Sequence, residues 1–92
     1  MKKSVRLFIT GSVQSLFFRQ FIKDHAAVND VTGFLRKLED GRLEIFLEGD
    51  RESVDSMIQI CKIGPKHAVI RNVEEREEKF QDFKEFKILN FI

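Results

Sequence analysis

The 92-residue sequence contains no tryptophan or tyrosine, and it has a single cysteine and a single proline. One cysteine cannot form a disulfide within the chain, so nothing in the sequence indicates an oxidising compartment. Its ten phenylalanines supply aromatic bulk without a polar group, which is typical of a dry hydrophobic core. With 42% apolar residues, the chain can bury such a core within one domain, residues 1–92.

The sequence also lacks an excess of either charge and has no long hydrophobic run. Lysine and arginine total 16 against 15 aspartate and glutamate, giving a net charge of +1. This balance argues against a protein that binds nucleic acid by neutralising many phosphates. No apolar run approaches the roughly 18 residues of a membrane span, and the first ten residues lack a signal-peptide core. We therefore expect a cytoplasmic chain that binds neither nucleic acid nor membrane.

Hydrophobic periodicity divides the chain into strands and helices. Apolar residues alternate over 4–10, and they recur at helical spacing over 18–29. Alternating segments on both sides of Asp40-Gly41 predict a β-hairpin. Asp50 is a predicted N-cap for a second amphipathic helix, which presents Val54, Met57, Ile58 and Cys61 and ends at Gly64-Pro65. Residues 67–75 form an irregular strand pattern, and a short apolar segment follows at 86–91.

The resulting order is β-α-β-β-α-β with a short additional C-terminal strand. Each helix follows a strand and must cross over, so both helices are expected on one face of an antiparallel sheet. The sequence therefore predicts an α+β fold, a ferredoxin-like sandwich. This fold carries many unrelated functions, so the function has to be inferred from the site.

The connection between the first strand and the first helix has the character of an anion site. The segment Gly-Ser-Val-Gln-Ser, residues 11–15, opens a helix whose first N–H groups lack helical partners and attract anions. Arg19 falls in the first turn, where the helix dipole disfavours a cation unless an anion lies between them. A solvated Arg19 with no ligand is the alternative interpretation of these residues.

Three segments in the same order resemble the signatures of the acylphosphatase family. The first is G-x-V-Q-G-V-x-F-R, matched by Gly11, Val13, Gln14, Phe18 and Arg19. The second, G-W-V-R-N-x-x-D-G-x-V-E, is similar to residues 33–44 through Gly33, Arg36, Asp40, Gly41 and Glu44. The third, G-P-x-x-A-x-V-x-x-V, is similar to residues 64–73 through Gly64, Pro65, Ala68, Ile70 and Val73.

The resemblance implies hydrolysis of a carboxyl-phosphate anhydride to a carboxylate and inorganic phosphate, without a metal or another cofactor. Arg19 would bind the phosphoryl oxygens bidentately. The substrate would be a small acyl phosphate, and the protein would act as a monomer. The phosphate-binding residues implied by the resemblance are Val13, Gln14, Ser15, Leu16, Phe17, Phe18 and Arg19.

Two residues depart from the family pattern. Ser15 replaces a glycine, which would cost on the order of 1–2 kcal/mol if that position requires positive φ. Lys37 replaces the asparagine that orients the attacking water in the family. An asparagine amide both accepts and donates hydrogen bonds, whereas a lysine ammonium has three donors and no acceptor. We therefore expect Lys37 to add a cation beside the phosphate and to weaken catalysis.

Two functional hypotheses remain open from the sequence. The first is an acylphosphatase with impaired or atypical catalysis, in which Arg19 and Lys37 are the catalytic positions. The second is an inactive module of the same fold that binds phosphate or a partner. Lys37 could also point to solvent while another group holds the water, although Asn29, Asn72 and Asn90 are weak replacements.

The remaining histidines, cysteine and aromatics are interpreted as structural. His25, His67 and Cys61 have no partner at metal-ligand or triad spacing. Phe8 and Phe46 lie opposite the core-facing parity of their strands, so both could lie on the open face of the sheet. RNA-recognition domains stack bases on such aromatics, but residues 33–40 fit their motif poorly. Cover by residues 90–92, or a weak dimer contact, is the preferred explanation.

Overall fold

The computed structural model describes residues 1–12, 16–66 and 68–89, without the side chains of Ser12 and Leu16. One sheet in the strand order β4-β1-β3-β2-β5 is covered on one face by two helices. The strands and helices are β1 (Lys2–Ser12), α1 (Leu16–Val28), β2 (Thr32–Lys37), β3 (Leu43–Asp50), α2 (Arg51–Ile63), β4 (Val69–Glu77) and β5 (Phe86–Ile88). The predicted order of elements and the ferredoxin-like fold are confirmed.

Alternation along the strands determines which side chains enter the core. In β1, Val5, Leu7 and Ile9 are buried beneath the helices, and the antiparallel register places them opposite Leu47, Ile45 and Leu43 of β3. Intervening residues face the other side of the sheet, which we call the open face. Because the strand period is two residues, this register fixes the face on which every other side chain lies.

Both helices are held by a narrow apolar stripe. Phe18, Ile22 and Ala26 of α1 are fully buried, and the predicted stripe of α2 is likewise buried. The second helix ends where predicted, at Gly64, which has φ 71° and whose N–H donates to the carbonyl of Ile60 at 2.9 Å. Burying these side chains, at about 1.5–3 kcal/mol for each large residue, stabilises the helix layer on the sheet.

Asp50 lies at the N-cap predicted for α2, but its side chain interacts elsewhere. Asp50 occupies the N-cap position, but its side chain makes no capping hydrogen bond. Instead, its carboxylate lies 3.2 Å from the Nζ atom of Lys2, its partner across the β1–β3 ladder. The strand pairing that brings Lys2 opposite therefore gives the carboxylate another partner.

The irregularity predicted in the fourth strand is a bulge. Thr10 pairs with Asn72, and Gly11 pairs with Ile70, so Arg71 is an extra residue in β4. The bulge changes the parity of the strand, which allows both Ile70 and Val73 to pack against the core. The last strand also differs from the antiparallel expectation, because β5 pairs parallel to β2.

A segment before β5 crosses the open face, and we call residues 79–85 the covering segment. Its Phe83 ring lies 5.2 Å from that of Phe46 and 5.7 Å from that of Phe34, and Phe46 is fully buried. The cover over Phe46 thus includes Phe83, which the sequence pattern did not indicate. The expected contribution of residues 90–92 lies outside the described residues. Phe8 remains half-exposed, with the Arg42 and Arg76 guanidinium groups 5.0 and 5.2 Å from its ring centroid.

Candidate active site

The sheet brings the ends of β1 and β2 to the same place. Both strands run antiparallel to β3, so they are parallel to each other, and Ile9 and Lys37 both lie opposite Leu43. We call this the loop end of the sheet, where β1 stops at Ser12 and β2 stops at Lys37. With neighbouring strands about 4.8 Å apart, the backbone of Lys37 lies about 10 Å from that of Ile9.

The first helix starts at this loop end. It begins at Leu16, four residues after β1 stops, and its first turn contains no acidic side chain. The N–H groups of this turn have no helical acceptor, and the positive end of the helix dipole lies here. The helix start to which the sequence analysis assigns an anion site thus lies at the loop end.

The structure describes four of the seven predicted phosphate-binding residues. Leu16 is the first residue of α1, Phe17 is exposed, and Phe18 is fully buried in the core. Arg19 is half-buried in the first turn. Val13, Gln14 and Ser15 lie outside the described residues, and so does the expected strain at Ser15. Phe18 thus fixes the start of the helix to the core, while Phe17 projects away from it.

Lys37 lies on the helix-covered side of the sheet. It shares the parity of Leu35 and pairs with Leu43, both of which are buried beneath the helices. The side chain is half-buried at the loop end. A lysine that simply extended from the open face would have the opposite parity. This register favours the interpretation in which Lys37 faces the layer that contains the start of α1.

Two of the three asparagines considered as replacements for the family's water-orienting asparagine are described by the structure. Neither lies beside Lys37. Asn29 follows the far end of α1, and its Nδ2 atom donates to the carbonyl of His25 at 2.8 Å. Asn72 is exposed and pairs with Thr10, whose parity is that of the open face. Asn90 lies outside the described residues. Neither Asn29 nor Asn72 shares the position of Lys37.

At two of the signature glycines, the structure leaves no room for a side chain. A Cβ atom at Gly11 would lie 2.0 Å from the carbonyl oxygen of Val69, and one at Gly33 would lie 1.8 Å from that of Phe46. Their φ angles of 151° and 139° fall in the region that favours glycine. At Gly11 the close neighbour is therefore the backbone of β4, and at Gly33 it is the backbone of β3.

The second signature builds the β2–β3 hairpin and the open face. The Asp40 carboxylate accepts from the backbone N–H of Arg42 at 3.1 Å and from its Nε at 2.7 Å. These bonds, the backbone one foremost, lower the pKa of Asp40 below its ordinary value. Glu44 is buried on the open face, where Arg6 and Arg36 donate to its carboxylate. Glu44 and its two arginine partners therefore lie on the face of the sheet opposite to that of Lys37.

The other candidate residues have structural surroundings where they are described. His25 Nδ1 is 2.8 Å from the carbonyl oxygen of Phe21, and the two rings lie 4.2 Å apart. Cys61 is fully buried, and burial raises the pKa of its thiol to about 12. His67 lies outside the described residues. Within residues 1–12, 16–66 and 68–89, no three His, Cys, Asp or Glu side chains form a group that could hold a metal ion. In the same ranges, no helix has the length and apolar character needed to cross a membrane.

Comparison with known proteins agrees with the resemblance seen in the signatures. The family model described as Acylphosphatase matches residues 5–88. The chain is 44% identical over 85 residues to an acylphosphatase of Pyrobaculum arsenaticum, and the match covers 90% of each chain. The Bacillus subtilis acylphosphatase structure has a TM-score of 0.90 at 25% identity, covering 98% of this chain and 100% of that one. An acylphosphatase structure from Coxiella burnetii has a TM-score of 0.89 at 26% identity, covering 96% and 93%.

Proposed function

Because the chain belongs to the acylphosphatase family, we propose that it hydrolyses acyl phosphates as a single domain, with turnover weakened by Lys37. The observation that carries this proposal is the position of Lys37 on the helix-covered side at the loop end, where α1 also begins. The family match over residues 5–88 supports the reaction class.

The phosphoryl group binds through backbone amides and one guanidinium group. The N–H groups of residues 13–18 surround the phosphoryl oxygens, and Arg19 donates to two of them. The half-buried position of Arg19 in the first turn supports this role, since a bound anion offsets the unfavourable dipole at that place. The site thus concentrates positive charge where the phosphoryl charge develops.

Hydrolysis then requires a water molecule in line with the bond that breaks. Water attacks phosphorus, the bond between phosphorus and the carboxyl oxygen breaks, and the electron pair leaves on the carboxylate. The water protons remain on inorganic phosphate or pass to solvent. Because the carboxylate is a good leaving group, positioning and charge stabilisation supply most of the rate enhancement.

Lys37 changes the balance between binding and turnover. Its ammonium adds attraction for the phosphoryl oxygens in the ground state, which tightens binding without raising turnover. It has no acceptor for a water proton and therefore does not align the nucleophile. By analogy with the loss of one oriented hydrogen-bonding group, the expected deficit is about 10²–10³ in kcat.

Hydrolysis of benzoyl phosphate by the native protein, Lys37→Asn and Arg19→Ala tests this proposal. We expect Lys37→Asn to raise kcat by about 10²–10³ and Arg19→Ala to abolish activity. The exposed lysine of β5, replaced in Lys87→Asn, is the matched control and should leave kcat unchanged. A native protein as fast as Lys37→Asn would show that Lys37 does not impair catalysis.

A binding module is the second candidate, and the same lysine favours it. In that case, the native protein and Lys37→Asn both stay at the uncatalysed rate, yet inorganic phosphate raises Tm, because a ligand of the native state stabilises it. Arg19→Ala should remove this rise. If phosphate does not change Tm and no variant is active, both proposals fail.

We also propose that the protein acts in the cytoplasm as a monomer and not on nucleic acid. The single buried Cys61 and the near-neutral charge support these choices. On the open face, Phe46 is covered, and the arginines beside Phe8 have carboxylate partners: Arg42 with Asp40 and Arg76 with Glu74. A base-stacking surface would instead need accessible rings and uncompensated cations.

A further inference from the structure

Phe17 has an unusual combination of position and exposure. It is the second residue of α1, and its side chain is 83% exposed, whereas the next residue, Phe18, is fully buried. Burial of an aromatic ring stabilises a fold, and this fold does not obtain that stabilisation from Phe17. Isolated exposed apolar residues are common and do not by themselves indicate a function. The location of the Phe17 ring is therefore the relevant observation.

The backbone of Phe17 lies within the proposed anion site. Its N–H is one of the first four of the helix, which have no intrahelical acceptor and face an anion bound at the helix start. The side chain is therefore attached to a residue that borders the phosphoryl group. Val28 is a useful contrast, because it is 84% exposed on the same helix but lies about 16 Å further along the axis.

In the proposed complex, the acyl group lies on the side of the phosphoryl group that faces away from the helix start. When backbone amides and Arg19 surround the phosphoryl oxygens, the remaining bridging oxygen and its acyl group extend towards solvent. Among the described side chains of the first turn, the exposed ring of Phe17 then offers an apolar surface to the acyl group. One turn later, Phe21 is half-buried, and its ring packs 4.2 Å from that of His25, so this side of the helix continues as an aromatic row.

We propose that Phe17 is a specificity-determining residue whose ring contacts the acyl group and selects acyl phosphates with an aromatic or other apolar acyl chain. This inference rests on the proposed function of the same site. An exposed phenyl ring gains apolar contact from an aromatic acyl group but little from a methyl group.

The selectivity between two substrates tests the proposal. We expect Phe17→Ala to lower kcat/KM for benzoyl phosphate about tenfold while changing that for acetyl phosphate little, and Phe17→Leu to retain part of the preference. Val28→Ala, with a similar exposure at the other end of α1, should leave both values unchanged. An equal loss for both substrates, or an unchanged ratio, overturns the assignment.

A binding measurement separates this inference from the proposed hydrolysis. Phenacylphosphonate and acetonylphosphonate replace the bridging oxygen by a methylene group and cannot be hydrolysed. We expect phenacylphosphonate to raise Tm more than acetonylphosphonate does, and Phe17→Ala to remove this difference. If turnover is absent but this pattern holds, hydrolysis fails and the inference stands. If both analogues raise Tm equally, or if neither does, the inference fails.

Discussion

The carboxylate of Glu48 in β3 accepts a hydrogen bond of 2.8 Å from the backbone N–H of Phe83 in the covering segment. It also accepts from the backbone N–H of Gln81 and from the hydroxyl of Ser4, the latter at 2.8 Å. Glu48 is only 1% exposed, so these donors replace the water that an ionised carboxylate would otherwise require. One buried acidic side chain therefore joins the covering segment to the open face of the sheet.

We predict that Glu48→Ala lowers the free energy of unfolding by on the order of 3 kcal/mol, because three donors lose a charged acceptor. Equilibrium denaturation followed by circular dichroism measures the change. Glu77→Ala, at an exposed position of β4, is the control and should cost less than about 0.5 kcal/mol. Equal stability of the two variants would show that the covering segment is held by other contacts.

Gly11 provides a second test, because a β-carbon there has no room. We predict that Gly11→Ala lowers the free energy of unfolding by at least about 2 kcal/mol more than Gly49→Ala does. Both glycines have φ angles near 150°, so the conformational strain is shared and the comparison isolates the steric contact. The nearest atom to a new Cβ is at 2.0 Å for Gly11 and 3.3 Å for Gly49. Indistinguishable denaturation midpoints would contradict the close approach of β4.

The lowered pKa of Asp40 makes its contribution to stability depend on pH in a definite direction. Its pKa is lowered in the folded protein by the hydrogen bonds from Arg42, so its contribution to stability is present above the unfolded value of 3.8. That contribution is lost as the pH falls through the lower folded value. We expect Asp40→Asn to lower Tm slightly at pH 6 and to match the native protein under strongly acidic conditions. Asp24→Asn, on the exposed side of α1, serves as the control. A difference in Tm that grows on acidification would contradict the sign.

Cys61 should be unreactive in the folded protein. Burial of Cys61 on the core side of α2 excludes reagents and raises the pKa of the thiol to about 12, which suppresses the nucleophilic thiolate. We expect dithiodipyridine to react slowly with native protein at pH 8 and rapidly in denaturant. Since this is the only cysteine, the absorbance change reports a single site. A native rate close to the denatured rate would mean that α2 opens readily or that Cys61 is accessible.

Several features of the fold followed from local sequence patterns. Alternation placed Val5, Leu7 and Ile9 on one face, and the spacing of Val54, Met57, Ile58 and Cys61 identified the buried stripe of α2. Changed parity in residues 68–73 indicated the irregularity that the structure resolves as a bulge at Arg71. These patterns succeed because burial of apolar surface dominates folding and has a simple period along each element.

The covering segment could not be found in this way. Glu48 and Phe83 are separated by 35 residues, and residues 79–85 show neither helical nor strand periodicity. The missing side-chain cap at Asp50 is a related case, since its carboxylate lies beside Lys2, which is distant along the chain. In both cases a polar side chain interacts with a residue that is far away in the chain. The sequence around a polar residue does not identify such a partner.

By itself, the sequence determined the order of strands and helices, the core-facing parity and the family signatures with their departure at Lys37, because these depend on nearest-neighbour spacing and residue chemistry. Only the tertiary structure decided that Lys37 lies on the helix-covered side at the loop end and that Phe17 is exposed beside Phe18. Strand register and helix packing set these relations, and both arise from contacts between segments that are distant in the chain.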